Sequence, residues 1–476
     1  MGKRVQTTTP TDSEGHASLP WTHPRTRRKP VGRYPKPCIN QATTAEAFIA
    51  FLRGVFPELG RWFDDLPDAR RQELCKYTGA HIWFHILMMF VTRAGSCNAF
   101  DQDRNSGAAA ANMGILCGQG PEDYRFAGQP TVTCSDNAGR HAARTEPESV
   151  ASIPVRMIRL LMERRLFDTF RLFDVWHVLV VDGTVQEKCR EGFMDGGKNV
   201  GAGSARYRYV LQLGILGPNG MFLPFMHEAV DMHDPVRDKE DCELEAFKRL
   251  VSRLKDCFPR TPFCIVGDAL YATEGIAAIC ETMGWRYVLT FKEGRQPCAW
   301  DEMLALLGLQ PGNKLRLWSG AKPEDGLRDM RWIEALPLGE KGTTNVLLEG
   351  EITQQAATLY AWMTNFSNLT PNRVLSIVNA AGRERHCIED HFNAQKNNGI
   401  GLGHVFRANQ NASKNYYTIM QAAQIIWQLF YGGHLARLYE WAKTAPQKSL
   451  ARAVAEGLRA SLFANVPPIG QLRFIT

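Results

Sequence analysis

The chain has 476 residues, enough for about three domains. Apolar residues make up 44% and charged residues 22%, a balance that builds a large core and excludes a disordered or fibrous chain. A formal net charge of +7 permits a nucleic-acid partner without requiring one, and the twelve cysteines form no CxxC pair, which excludes zinc-ribbon spacing.

Residues 1–40 are rich in Pro, Thr and basic side chains, with Arg25, Arg27, Arg28, Lys29, Arg33 and Lys36 close together. Such a segment has too little apolar surface for a core and reads as a flexible basic arm, either a solvated tail or a DNA contact through counterion release. It lacks the apolar stretch of a secretory signal, so a cytosolic protein with reduced cysteines is expected. Residues 41–175 read as mostly helical and as a DNA-binding or dimer-supporting region. Thr43 or Thr44 is the expected first N-cap, helical patterns recur at about 66–77 and 79–94, and 95–145 reads as loop-heavy. The apolar run AHIWFHILMMFV is too short to span a bilayer, so no membrane partner is expected. Its His81 and His85 have apolar neighbours and read as core histidines rather than ligands.

Residues 176–292 change character. VLVVDGT is a continuous apolar run ending in Asp182, as expected of a strand covered on both faces. A Gly-rich turn follows, carrying or flanked by Lys198, Arg206 and Arg208; it reads either as a close approach for DNA or as a plain connection. RYVLQLGILG and MFLPFMHEAV, separated by Pro218-Asn219-Gly220, read as a hairpin. EDCELEAFKRLVSRLKDCF places Leu244, Phe247, Val251 and Leu254 at helical spacing. FCIVGD is then a strand ending at Asp268, followed by a helix closing at Gly284 and a further strand. The nearby acids Asp231, Asp234, Asp238 and Asp241 have no strand to aim them and read as solvated. Residues 293–365 contain Trp300, Trp318, Trp332 and Trp362 among alternating segments and read as a β-rich insertion. Of these, Trp332 beside Arg331 is the choice for a base-stacking ring, although a core position is the commoner fate of such a tryptophan. Residues 366–440 turn helical again, with NASKNYYTIMQAAQIIWQLFYGG too apolar for a surface helix, and 441–476 form a C-terminal tail.

In GRERHCIEDHFNAQKNN, Arg385 lies four residues before Glu389 and Lys396 seven after it. At about 100° per residue the three fall within roughly 40° on a helical wheel. His386 and His391 point away from that face, His386 less so. Two aspartates closing apolar strands and a glutamate among cations on one helix face suggest a two-metal phosphoryl-transfer site.

This pattern resembles the DDE transposases of bacterial insertion sequences, specifically the branch with a β insertion between the second aspartate and the glutamate. That branch carries a Tyr-Arg-Glu-Lys signature, and Arg385, Glu389 and Lys396 match its spacing, while Gly382 stands where the tyrosine would be. The resemblance covers about residues 176–435. It implies an α/β fold: an RNase H-like mixed sheet flanked by helices, interrupted by the mainly β insertion, with a helical N-terminal domain; the order βββαβαβ agrees with it. It further implies a Mg²⁺-dependent (or Mn²⁺-dependent) enzyme holding two ions with Asp182, Asp268 and Glu389. Arg385 and Lys396 would hold DNA phosphates, and Lys198, Arg206, Arg208 and Trp332 would be further DNA contacts. The expected partners are double-stranded DNA, as terminal inverted repeats and target, and a second copy of the chain, in the bacterial cytoplasm at the nucleoid. A DNA-binding descendant without catalysis and another RNase H-like nuclease are the alternatives.

Overall fold

The computed structural model describes residues 39–118, 131–190, 195, 198–199, 205–217, 220–230, 242–318, 326–339, 342–353 and 356–472. The basic arm through residue 38 and the four aspartates between 231 and 241 lie outside them. Ten strands form one mixed sheet. Strand β1 (His177–Arg190) lies antiparallel to β3 (Ala205–Leu216), and β3 carries on its far edge both the short β2 (Lys198–Asn199) and β4 (Phe222–Ala229). On its other side β1 pairs in parallel with β5 (Phe263–Gly267), which pairs in parallel with β6 (Arg286–Thr290). Every residue of β5 is buried, as an all-apolar strand between two neighbours and two helical faces requires. The expected hairpin is β3–β4, closed by the bond from the Gly217 amide to the Met221 carbonyl at 2.7 Å, with Gly220 at φ +71°.

The insertion differs from a separate β unit. It opens with a helix, Pro297–Leu309, and continues through β7 (Lys314–Trp318), β8 (Leu327–Leu338), β9 (Gly342–Ile352) and β10 (Ala357–Thr364). Because β10 pairs with both β9 and β6, the insertion extends the central sheet edge-on.

The helical segments pack around one buried helix, Gln410–Gln428, which lies against β4 and the helices Gly79–Val91, Ser135–Arg144 and Pro147–Glu163. Its apolar character places it inside, as expected. Two of its polar groups find partners there: the Asn415 amide NH₂ donates to the Ala142 and Thr145 carbonyls at 2.8 Å each, and the Tyr417 hydroxyl to Gln212 at 2.9 Å. The helix Gln41–Val55 packs against Gln447–Ala460, so the two ends of the described chain share this helical layer.

Several local expectations are corrected. The first helix is capped by Asn40, whose side chain accepts from the Thr43 amide at 3.1 Å, rather than by a threonine. Between 66 and 77 only a short 3₁₀ turn, Gln72–Leu74, forms, because Pro67 cannot extend a helix and Asp68 folds back onto Arg70. The loop-heavy stretch holds three short helices, Cys97–Asp103, Ala109–Leu116 and Ser135–Arg144, with residues 119–130 outside the described chain. His81 and His85 are buried; desolvation pushes His85 down to about 3, and its Nε2 lies 3.0 Å from the Ser135 hydroxyl. Among the described residues no helix is long and apolar enough to cross a membrane.

Candidate acidic site on the central sheet

Asp182 lies inside β1 and not at its end, but at a point where the sheet changes. The parallel pairing of β1 with β5 is aligned Leu179 to Ile265 and Val180 to Val266. Asp182 and Asp268, which immediately follows β5, each lie two residues beyond the last paired residues, Val180 and Val266, and the charge of Asp268 acts on Asp182. Past Val180, β1 keeps only β3 as a partner, and Asp182 lies in this one-sided stretch. One Asp182 oxygen accepts from the Gly183 amide at 2.9 Å and the other from Arg385 at 3.4 Å. Asp268 accepts from the Leu270 amide at 2.8 Å, which fixes the turn leaving β5.

Glu389 arrives from the other side. A helix, Pro371–Ile377, passes through a π-helical turn (Val378–Gly382) and a 3₁₀ turn (Arg383–Arg385) into the helix His386–Asn397. Such a change of pitch shifts the face the helix presents. Arg385 thereby sits at the helix start, with its guanidinium bridging Asp182 and Glu389. Lys396, further along, reaches the Thr184 hydroxyl at 3.3 Å. Both signature cations therefore touch β1 or its acid. Glu389 keeps a side-chain exposure of 48%.

Asp182 is the titration centre. Burial pushes its carboxyl up to about 6, the Arg385 charge and the Gly183 amide oppose the rise, and Asp268 and Glu243 add to it. The folded pKa is above the unfolded one, so between about pH 4 and pH 6 the folded protein keeps a proton that the unfolded chain has lost. Stability from this group therefore falls as pH rises through that window. Asp182→Asn is expected to raise the unfolding free energy by about 2 kcal/mol at pH 7.5, with no gain below pH 4, in urea titrations at the two pH values.

Among the described residues no three His, Cys, Asp or Glu side chains stand close enough together to hold a metal ion. The acids match a hard divalent cation in donor type, but not in their spacing as folded. It is the Arg385 guanidinium that spans Asp182 and Glu389, and it must swing away for both to grip one ion.

The other expected DNA contacts divide. Lys198 pairs through its backbone with Tyr207, and its side chain lies outside the described residues. Arg206 is half-buried on β3. Arg208 is only 9% exposed, with its guanidinium on Glu187 and on the Asp195 and Ala408 carbonyls, so as folded it offers DNA nothing. Trp332 is 2% exposed in the insertion core, which corrects its choice as a stacking ring; the exposed tryptophan is Trp318, 54% exposed at the end of edge strand β7. His391 is buried against Gln421, and His386 turns to the Arg383 carbonyl and Asp390.

Gly382 has a steric cause. A Cβ there would lie 2.8 Å from the Trp362 indole, because β10 carries Trp362 against this turn. Tyr360 stacks on Trp362 with ring centroids 5.9 Å apart, and Arg383 covers Tyr360 at 3.9 Å. Two aromatic rings of the insertion thus fill the space beside this turn. Gly382→Tyr is expected to cost about 3 kcal/mol by overpacking, and Trp362→Ala in the same chain to recover part of that loss, in urea unfolding.

Sequence reasoning missed Glu243, Tyr209 and Tyr271. Glu243 opens the helix Glu243–Cys257, and it receives the Tyr209 hydroxyl at 3.1 Å on one oxygen and the Tyr271 hydroxyl on the other. The available signal was the pair of glycines beside the two aspartates. A Cβ on Gly183 would strike the Tyr209 ring, and one on Gly267 would come within 2.8 Å of the Tyr271 ring.

Comparison with known proteins gives no family model and no curated protein that matches the sequence. Among solved structures, the chain is similar to a piggyBac transposase in a synaptic complex with hairpin DNA, at a TM-score of 0.40 and 10% identity, over 89% of this chain and 86% of that one. A likeness of that size carries no conclusion about chemistry, so any functional reading stands on the acids and cations themselves.

Proposed function

We propose that the chain is a DNA transposase of the DDE type, built on an RNase H-like arrangement of β1 and β3–β6, that cuts the ends of an insertion sequence and joins them to target DNA. The observation that carries this is the Arg385 guanidinium joining Asp182 to Glu389, from segments some two hundred residues apart in sequence, with Asp268 close enough for its charge to act on Asp182.

Asp182, Asp268 and Glu389 would hold the divalent ions, Mg²⁺ or Mn²⁺. When bound, the pair of ions supplies activation of an attacking oxygen and charge neutralisation at the leaving 3′ oxygen. The residues of the chain do the rest. Asp182, raised to about 6, is ionised at neutral pH and available as a ligand. Arg385, released from the two acids, is placed to take a phosphate of the DNA end, with fork geometry suited to it. Lys396 adds a second positive charge on the same helix face. Water as first nucleophile and the freed 3′-OH as second require no covalent protein–DNA link. If the insertion stacks an unpaired base, Trp318 is the ring with an open face. The partners are the terminal inverted repeats, target DNA and a second copy of the chain, within the bacterial cytoplasm.

The test is a supercoiled plasmid carrying the element's ends, incubated with protein and Mg²⁺. Double-strand release at the ends is the expected result. Retention of the ends without cutting would replace this reading with a DNA-binding protein, and cutting confined to branched substrates with a structure-specific nuclease.

A further inference from the structure

Independently of that reading, we propose that a cavity in the helical layer binds one small amphipathic anion, an apolar body with a carboxylate or phosphate head. The cavity measures about 610 Å³ and is lined from the helices Gly79–Val91, Cys97–Asp103, Ala109–Leu116 and Gln447–Ala460. That volume suits a small organic ligand. Met88, Phe100, Met113 and Leu116 give it an apolar wall.

Its charge is unbalanced: five cations and two acids line it. Arg459 holds Asp103 at 2.5 Å, Arg452 holds Glu456 at 3.6 Å, and Arg104 lies 3.6 Å from Asp101, an acid outside the lining. Arg93 and Lys448 remain, and among the described residues neither has an acid for a partner. Arg93 is only 6% exposed. Its guanidinium lies over the Trp427 ring and donates to two neutral oxygens, the Asn398 carbonyl at 2.9 Å and the Gln447 side-chain oxygen at 2.7 Å. Of its five N–H donors, three are left for a ligand. Burial pushes its pKa down to about 10, and no acid stands near enough to oppose the fall. A buried cation without a counter-charge is costly, and a bound anion relieves that cost.

The start of the helix Gln447–Ala460 favours the same ligand. Pro446 at its N-cap offers no side-chain hydrogen bond, and the first turn contains no acid. The first amides of a helix have no partner within it, and they carry the positive end of its dipole. Pro446, Lys448 and Ser449 line the cavity, so this end is at its wall. Gln447 also receives Arg93, so the buried guanidinium and the helix start adjoin. Together they form a place for the head of an anion.

Isothermal titration calorimetry of the full chain with decanoate and with decyl phosphate, below the concentrations at which they form micelles, tests the assignment. At least one of them is expected to bind at one site per chain. Decanol, without the head charge, and acetate, without the body, are expected to bind at least about tenfold more weakly. Lys448→Gln is expected to weaken binding at least about threefold, and Arg93→Gln at least about tenfold. Leu116→Trp, which fills the cavity, is expected to abolish it, while Lys443→Gln, outside the lining, leaves it within twofold. Arg93 has structural contacts, so Lys448→Gln and Leu116→Trp decide the matter if Arg93→Gln does not fold. No binding of either anion, decanol or acetate binding as tightly as the anions, or binding within twofold in both Lys448→Gln and Leu116→Trp would overturn the site. The probes and variants leave the acids of the sheet untouched, so such a failure is separate from a failure of plasmid cleavage.

Discussion

Asp182→Asn, Asp268→Asn and Glu389→Gln are each expected to reduce cleavage at the element's ends by about 10³-fold or more while leaving binding to those ends within a few-fold of the unmodified protein. The size follows from the work asked of the acids. Stabilising charge on the attacking and leaving oxygens is worth several kcal/mol, and each 1.36 kcal/mol is tenfold in rate. On the proposed function, removing one carboxylate charge would weaken the hold on the divalent ions. On the same proposal, DNA binding would rest on different groups, the cations of the Arg385–Lys396 face among them, and amides are close in shape to the acids they replace. Gel-shift and plasmid-cleavage assays on the same preparations separate the two effects. Glu389→Gln has a distinguishing feature, because it also frees Arg385 from its partner within the helix. Tighter end binding is therefore expected in Glu389→Gln than in Asp268→Asn. Full cleavage by any one variant would remove that residue from the centre.

Period and composition made the scaffold legible. VLVVDGT and FCIVGD announced buried strands because β1 and β5 are covered on both faces, and the acid that ends each run marks where that cover stops. The Arg385–Glu389 contact follows from four-residue spacing alone and survives the change of pitch before the helix. What the pattern could not carry was pairing between distant segments. Whether the insertion stands apart or joins the sheet depends on β10 finding β6, which no local period encodes. Glu243 was hidden for the same reason: its two tyrosines lie 34 residues before it and 28 after, and only the folded sheet brings their hydroxyls together. The burial of Trp332 and the exposure of Trp318 were not legible, because alternation within a strand says which residues share a face, not which face is covered.

Arg208 marks the same limit from the opposite side and yields a large expected effect on stability. In sequence it is a cation beside a Gly-rich turn; in the fold it is the partner of a buried acid. The register of β1 shifts between Val185 and Glu187, and the bulge drives Gln186 and Glu187 into the interior beside Ser413. Burial pushes the Glu187 carboxyl up, and the Ser413 hydroxyl and the Arg208 guanidinium act against that rise. Arg208 also binds the Ala408 carbonyl at 2.7 Å, tying the segment before the helix Gln410–Gln428 to the strand that carries Asp182. Arg208→Ala is therefore expected to cost about 3–5 kcal/mol of stability, because it leaves a buried carboxylate without its cation. Glu187→Ala should cost a similar amount, and the double variant clearly less than the two together, since neither charge then remains unpaired. Urea unfolding of the four proteins measures the cycle. A DNA-contact role would give the reverse pattern: Arg208→Ala as stable as the unmodified protein and weaker on DNA with a shallower salt dependence.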